Sequence, residues 1–387
     1  MMKKALLSAI LVTSVCVAAY GQQTGWLGQQ KNFISTGMPI LLIAPDAVSS
    51  GMGDVGAASM PDIYSAHWNN AKFAFIDGDM GASTTFTPWL RNLNVGDMNL
   101  LYLAGYYRIN PRSVAAASLT YFSLGDIDMR DIEGNKVTDL HPNEFAFDAT
   151  YSMMITDHLS LGATGRYMRS DLTNGQTLND GSGNTETHPA NSLAADIGVY
   201  YQNSVSKNED IAVGLFLSNL GAKLSYSDDN NSREFLPSNM RLGARYTSRI
   251  DEYNKISVMA DVNKLLVPTP KFRSGTQTLT EYTNIGVISG VFQSFGDAPG
   301  GFSEELQELQ LNLGAEYWYA ETFAVRAGYF FEHENKGGRQ YATFGLGVRY
   351  SYFQFDFSYL VPTAKFSTNP LSNTIRIQLT ANLQPIK

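Results

Sequence analysis

Cysteine is nearly missing from this 387-residue chain: the single one, Cys16, falls in the opening stretch. That stretch, MMKKALLSAILVTSVCVAAYGQQ, reads as an export signal over residues 1–21. Lys3 and Lys4 form its basic start, Ala5 to Ala19 its apolar centre, and Ala19-Tyr-Gly21 a small-x-small cleavage site. Val15 before Cys16 is not the small residue a lipoprotein signal places there, so Cys16 leaves with the leader and the processed chain has no disulfide or thiolate-metal chemistry. Clusters of basic residues are also lacking. The formal charge of −8 becomes −10 once Lys3 and Lys4 are removed, which argues against nucleic acid as a partner, because a surface for its phosphates needs clustered Lys and Arg that the sequence does not show. Beyond the leader, no apolar run approaches the roughly 18 residues of a spanning helix.

Glycine (34), phenylalanine (21) and tyrosine (21) are plentiful, while charged residues make up only 17%. An exported chain of this composition without spanning helices fits a closed β-barrel, because hydrocarbon leaves every unpaired backbone group unsatisfied. The alternation is plainest near the end of the chain. Ile375, Ile377, Leu379, Ala381 and Leu383 interleave with Thr374, Arg376, Gln378, Thr380 and Asn382, one face for lipid and one for water. Residues 353–359, 343–350 and 309–317 repeat the pattern. Ten further stretches follow it, at 81–91, 98–109, 113–124, 143–155, 158–170, 190–203, 210–225, 236–248, 253–264 and 322–333. The expected fold is all-β: a 14-stranded antiparallel transmembrane barrel over residues 81–387. The echoes LGATGRY (161–167), LGARY (242–246), LGAEY (313–317) and LGVRY (346–350) place glycine on the inner face and tyrosine at strand ends.

Short connections alternate with long ones at 125–142, 171–189, 226–235, 265–307, 334–337 and 364–372, as in barrels with periplasmic turns and external loops. The connections at 203–209 and 249–252 are of middling length but fall in short positions. The even strand count puts both termini in the periplasm. A barrel this wide is not filled by its own side chains, so residues 22–80 are expected to form a plug, with Pro45, Asp46, Gly51, Gly53, Asp54, Trp68, Asn69 and Asn70 as its characteristic residues. The loop 265–307 joins an apolar stretch (Ile285, Val287, Ile288, Val291, Phe292, Phe295) to a short amphipathic helix around Ser303 to Leu309. Exposed apolar loop surface of this extent suits a partner or a fold-back onto the barrel.

Other motifs carry little chemistry. Gly51-Met-Gly53-Asp-Val-Gly56 matches GxGxxG, but Met60-Pro61 follows at once and no βαβ alternation surrounds it, so tight turns in a plug explain it better. His67, His141, His158, His188 and His333 lack metal-ligand spacing. The Gly-rich Asn179–Asn184 run lacks the spacing of a calcium loop and reads as flexible. No GxSxG elbow occurs. No cofactor, metal or catalytic residue is expected. Glu316, Arg326, Arg349, Asp356 and Arg376 fall on water-facing positions of neighbouring strands. They read as a hydrogen-bonded wall holding the plug, with a selectivity role as the lesser reading.

The run LIAPDAVSSGMGDVGAAS (42–59), followed by Tyr64-Ser-Ala-His-Trp68-Asn-Asn70-Ala-Lys-Phe, resembles the PorV (LptO) proteins of the type IX secretion system, within the FadL-like barrel superfamily. Asn69-Asn70-Ala71 stands where the superfamily has an Asn-Pro-Ala step, and Gln384–Lys387 lacks the terminal aromatic of other outer-membrane barrels. The resemblance implies an outer-membrane, non-enzymatic shuttle. Such a shuttle collects cargo at the SprA (Sov) translocon by its C-terminal signal domain and delivers it to an attachment complex of PorU, PorQ and PorZ. On residue grounds the partner-binding anchors are Phe272, Val291, Phe292 and Phe295 in the 265–307 loop. The alternative is a FadL-like transporter of long-chain fatty acids or other hydrophobic solutes, opening near Val114-Ala-Ala-Ala117. A lipid hydrolase set in the wall is a third class, for which the pattern supplies no nucleophile and base.

Overall fold

In the computed structural model, residues 34–89, 97–130, 136–179, 184–228, 233–270, 284–363 and 374–382 are described. The leader 1–21, most of the Asn179–Asn184 run, Phe272 and Gln384–Lys387 lie outside them. The strands are β1 (Met80–Pro88), β2 (Asn99–Asn110), β3 (Ser113–Ser123), β4 (Asn143–Met154), β5 (Leu159–Asp171), β6 (Ala190–Ser206) and β7 (Glu209–Gly221). They continue with β8 (Asn239–Arg249), β9 (Asn254–Leu265), β10 (Leu309–Tyr319), β11 (Phe323–Phe331), β12 (Gln340–Tyr350), β13 (Phe353–Pro362) and β14 (Ile375–Asn382). Each pairs antiparallel with its neighbour in sequence. The pairing of β1 with β14, from Gly81↔Asn382 to Phe86↔Ile377, closes the ring. Closure leaves no strand edge unpaired, as a hydrocarbon environment demands.

The two faces separate by period. In β14 the side chains of Ile375, Ile377 and Leu379 are exposed on the exterior while Arg376, Gln378 and Thr380 are buried inside. In β13, Phe353, Phe355 and Phe357 face outward and Gln354, Asp356 and Ser358 inward. Among the described residues no helix is long and apolar enough to cross a membrane; the crossing surface is the outward band of the strands.

The middling connections resolve into turns, residues 207–208 and 250–253. Two departures from expectation have local causes. The stretch predicted as one strand to 225 leaves the wall at Gly221, where a Cβ would overlap Leu193 O on β6. Leu224–Ser225 then pairs with Arg233–Glu234 in a separate hairpin. The long connections also carry hairpins of their own, Ile127–Arg130 with Lys136–Leu140 and Thr177–Asn179 with Asn184–Glu186.

Residues 34–79 run the length of the lumen. Met38, Ile40 and Leu41 pack with Trp89, Leu100, Phe122 and Leu236 at the long-loop end, where Gly37 N donates to Phe235 O (2.9 Å). At the other end Ser152 and Ser160, beside the 155–158 turn, both donate to Ala71 O (3.1 and 2.7 Å). Arg108 N donates to Asp79 O (2.7 Å) where the segment passes into β1. Asn382 closes the wall at the short-turn end, as expected, but Ile34 does not lie there. The first described residue sits at the opposite mouth, because the segment must cross the whole lumen to reach β1.

Candidate functional site

Two constructions stand out: the filled lumen and the raised loop between β9 and β10. The lumen segment has little regular structure, only α1 (Ala47–Ser50), α2 (Ser65–Trp68) and short 3-10 turns at Pro39–Leu42 and Asn70–Phe75. Its backbone groups therefore need partners from the wall, and inward side chains supply them. Asp261 Oδ2 accepts from Gly56 N and Ala57 N (2.7 and 2.9 Å), and Thr343 Oγ1 accepts from Gly53 N (2.8 Å). Gln378 Oε1 accepts from Ala47 N (2.9 Å). Asn312 Nδ2 donates to Gly53 O and Asp54 O (2.7 and 3.1 Å), and Arg376 Nε donates to Ala44 O (3.0 Å).

The residues singled out in the segment occupy defined places. Pro45 is buried just before Asp46. Asp46 caps α1 by accepting from Ser49 N (2.7 Å) and also accepts from Trp68 Nε1 (2.6 Å). Trp68 is fully buried, with the Arg241 guanidinium 4.4 Å from its ring centroid. Asn69 Nδ2 donates to Ala57 O and Val199 O (2.9 and 3.0 Å), and Asn70 Nδ2 to Thr164 Oγ1 (2.9 Å). Gly51 lies against Gly345, and Gly53 and Asp54 adopt left-handed backbone (φ 70° and 61°), with Asp54 held by the Tyr341 hydroxyl at 2.5 Å. The GxGxxG spacing thus serves close backbone approach: a Cβ on Gly53 would sit 2.6 Å from Tyr329 N, and one on Gly56 would overlap the Trp68 ring.

The five charges divide. Arg326 bridges Glu316 (2.7 Å) and Asp356 (2.8 Å), all three buried. Arg349 joins them through Gln354 (3.1 Å) and the shared Trp318 ring, 4.4 Å from its guanidinium, and reaches Glu321 (3.5 Å) near the short-turn end. Arg376 stands apart on Ala44. Unread in the sequence was a matching cluster across the lumen, Arg166 with Asp148 (2.6 Å) and Asp196 (3.0 Å). The signal was present, since all three fall on inward positions of β4, β5 and β6 under the same alternation.

The raised loop is the second construction. It holds α3 (Val287–Gln293) and α4 (Phe302–Gln307). Lys264, at the end of β9, pairs with Glu305 (3.1 Å) and Glu308 (2.6 Å), while Lys336 from the β11–β12 loop pairs with Glu304 (2.6 Å) and Glu308 (3.0 Å). Glu305 also accepts from Ala298 N (2.8 Å), and Gly290 packs into a gap where a Cβ would be 2.9 Å from Pro268. Ion pairs and a tight glycine contact thus fix the polar side of both helices to the rim. The opposite side is apolar and bare: Ile288 and Phe292, one helical turn apart, are 76% and 75% exposed, and Phe302, paired likewise with Leu306, is 78% exposed. Phe295 is exposed beside them; Val291 is half-buried. Phe302 and Leu306 were missed as anchors. Their i,i+4 spacing opposite Glu304, Glu305 and Glu308 marked them.

Among the described residues no three His, Cys, Asp or Glu side chains converge as a metal site. In fold the chain is similar to the toluene transporter TodX of Pseudomonas putida. The identity is 11%, 91% of this chain and 98% of that one are covered, and the TM-score is 0.50. The toluene transporter TbuX of Ralstonia pickettii matches at 13% identity over 87% and 96% of the two chains, with a TM-score of 0.47. No curated protein matches. The profile described as Type IX secretion system protein PorV matches residues 27–272, spanning both the lumen segment and most of the wall that binds it. The chain therefore belongs to the PorV family, outer-membrane β-barrels of the type IX secretion system.

Proposed function

We propose that this barrel is a carrier in type IX secretion. On this reading it binds the C-terminal signal domain of cargo at the SprA (Sov) translocon and passes the cargo to a surface attachment complex of PorU, PorQ and PorZ. The observation that carries the reading is the clamped loop with its bare apolar pairs, Ile288/Phe292 and Phe302/Leu306. Long loops of outer-membrane barrels face outward, and apolar side chains held rigidly clear of the surface are the usual anchors of a protein interface. The lumen supports the same reading. It is occupied by residues 34–79, whose backbone is held by inward charges and amides of the wall, so the described lumen is filled by the chain itself.

The test is capture of cargo from detergent-solubilised membranes. The wild-type chain should retain a signal-domain protein and the large translocon barrel. A Phe292→Asp/Phe302→Asp variant, assembled normally in the membrane, should lose at least about 2 kcal/mol of binding, or some thirtyfold in affinity. In cells lacking the chain, signal-domain cargo should accumulate in the periplasm; undiminished surface display would end the proposal.

A further inference from the structure

Lys264 stands on the face of the wall least suited to a charge. In β9 the buried Ser257, Met259, Asp261 and Asn263 point into the lumen, while Ile256, Val258 and Val262 are exposed on the exterior. Lys264 continues the exterior set, two residues beyond Val262, yet it is only 4% exposed. Its cover comes from the raised loop. Glu305 (3.1 Å) and Glu308 (2.6 Å) hold the ammonium, and the Phe295 ring centroid lies 5.9 Å from it. α4 therefore rests against the outside of the barrel at the top of β9, and Phe302 and Leu306, on its other side, face away from the wall.

The height of α4 follows from β10, which starts two residues after α4 ends. Leu311, Leu313, Tyr317 and Tyr319 are exposed on the exterior of β10, and the Tyr319 and Tyr253 ring centroids lie 6.4 Å apart at the short-turn end. Such an aromatic girdle marks one boundary of the hydrocarbon. From Tyr319 to Leu309 the strand runs about 33 Å. At a tilt of about 40° that is about 25 Å of height, which is the full height of an outward apolar band. Leu309 thus reaches the other boundary, and α4 lies at its level, so that Phe302 and Leu306 prolong the lipid-facing column of Leu311 and Leu313. The exposed surface there is also uncharged. Over residues 284–306 every exposed residue is apolar, glycine or a neutral polar one, while Asp297, Glu304 and Glu305 are drawn inward. A helix with its acids clamped on one side and large apolar side chains on the other suits the boundary between headgroups and acyl chains.

We infer that α4 is an interfacial anchor: in the chain without cargo, Phe302 and Leu306 lie in the outer leaflet beside β9 and β10, held at that depth by Lys264. The inference goes beyond the carrier reading and does not rest on it; a partner that takes the same pair displaces lipid. Without its leader the chain has no cysteine, so Phe302→Cys, Leu306→Cys, Leu311→Cys and Lys207→Cys each supply one point for a nitroxide label. The labelled chains are placed in phosphatidylethanolamine–phosphatidylglycerol nanodiscs with no cargo present, and heat-dependent migration in detergent gels confirms that each has assembled. Accessibility of the label to oxygen, which concentrates in lipid, is compared with accessibility to a water-soluble nickel chelate. The labels at 302 and 306 should favour oxygen, as the label on the belt at 311 does, and the label at 207, in a water-facing turn, should show the reverse preference. A preference for the chelate at both 302 and 306 overturns the inference. Labels there that lose the chelate only when a signal-domain protein is added identify a protein surface and overturn it equally.

Discussion

Asp261 shows what a single inward side chain contributes. Its Oδ2 takes two backbone donors of the lumen segment, and replacing it by alanine strands both N–H groups in a buried place. Asp261→Ala should cost about 2–4 kcal/mol, read as a lower midpoint for heat-dependent migration, with Asp261→Asn recovering part because an amide oxygen still accepts. At this scale the sequence was uneven. Arg326 with Glu316 was legible from period two, because the two stand opposite each other in register on β10 and β11, whereas Asp356 lies two strands from Arg326 and meets it past Gly347 of β12. Arg376 on Ala44 O was not legible, because its partner is a backbone group of an irregular segment, which no spacing rule locates.

The elements divide along the same line. All fourteen strands were legible, since an apolar exterior and a polar interior impose alternation on every one of them. Their ends were less so: β7 stops at Gly221, a position packed so closely against Leu193 O of β6 that it has no room for a side chain, which is a tertiary constraint. The hairpins within the long loops left no periodic mark, being only two to five residues on a side. α4 was visible as an amphipathic stretch, but its orientation came only with the Lys264–Glu308–Lys336 bridge. That bridge has its own consequence. Lys264→Ala takes from Glu305 its cation and leaves Glu308 with Lys336 alone, a loss of about 3 kcal/mol confined to the loop. Hydrogen exchange should quicken over residues 287–307 while the β8–β11 amides stay protected; uniform exchange across both would mean that the loop is not clamped separately.

For the whole molecule, fourteen strands and a filled lumen imply that conduction is blocked by residues 34–79 and not by narrowness of the ring. A chain lacking 39–75 that still forms the barrel should conduct ions in a planar bilayer, and the intact chain should not. The length of the segment suggested such filling, because a ring this size has space to spare. Its direction was hidden, since the sequence marks where the chain joins β1 but not which mouth it comes from. The answer bears on assembly. Ile34 stands at one opening and Met80 at the other, so the polypeptide passes through its own ring like thread through a bead. Once the β1–β14 seam has zipped, Ile34 can reach its opening only by being drawn through the closed ring. A short epitope placed ahead of Ile34 should travel with it and meet antibody on intact cells, whereas a bulky folded domain fused at the same point should catch and leave the seam open.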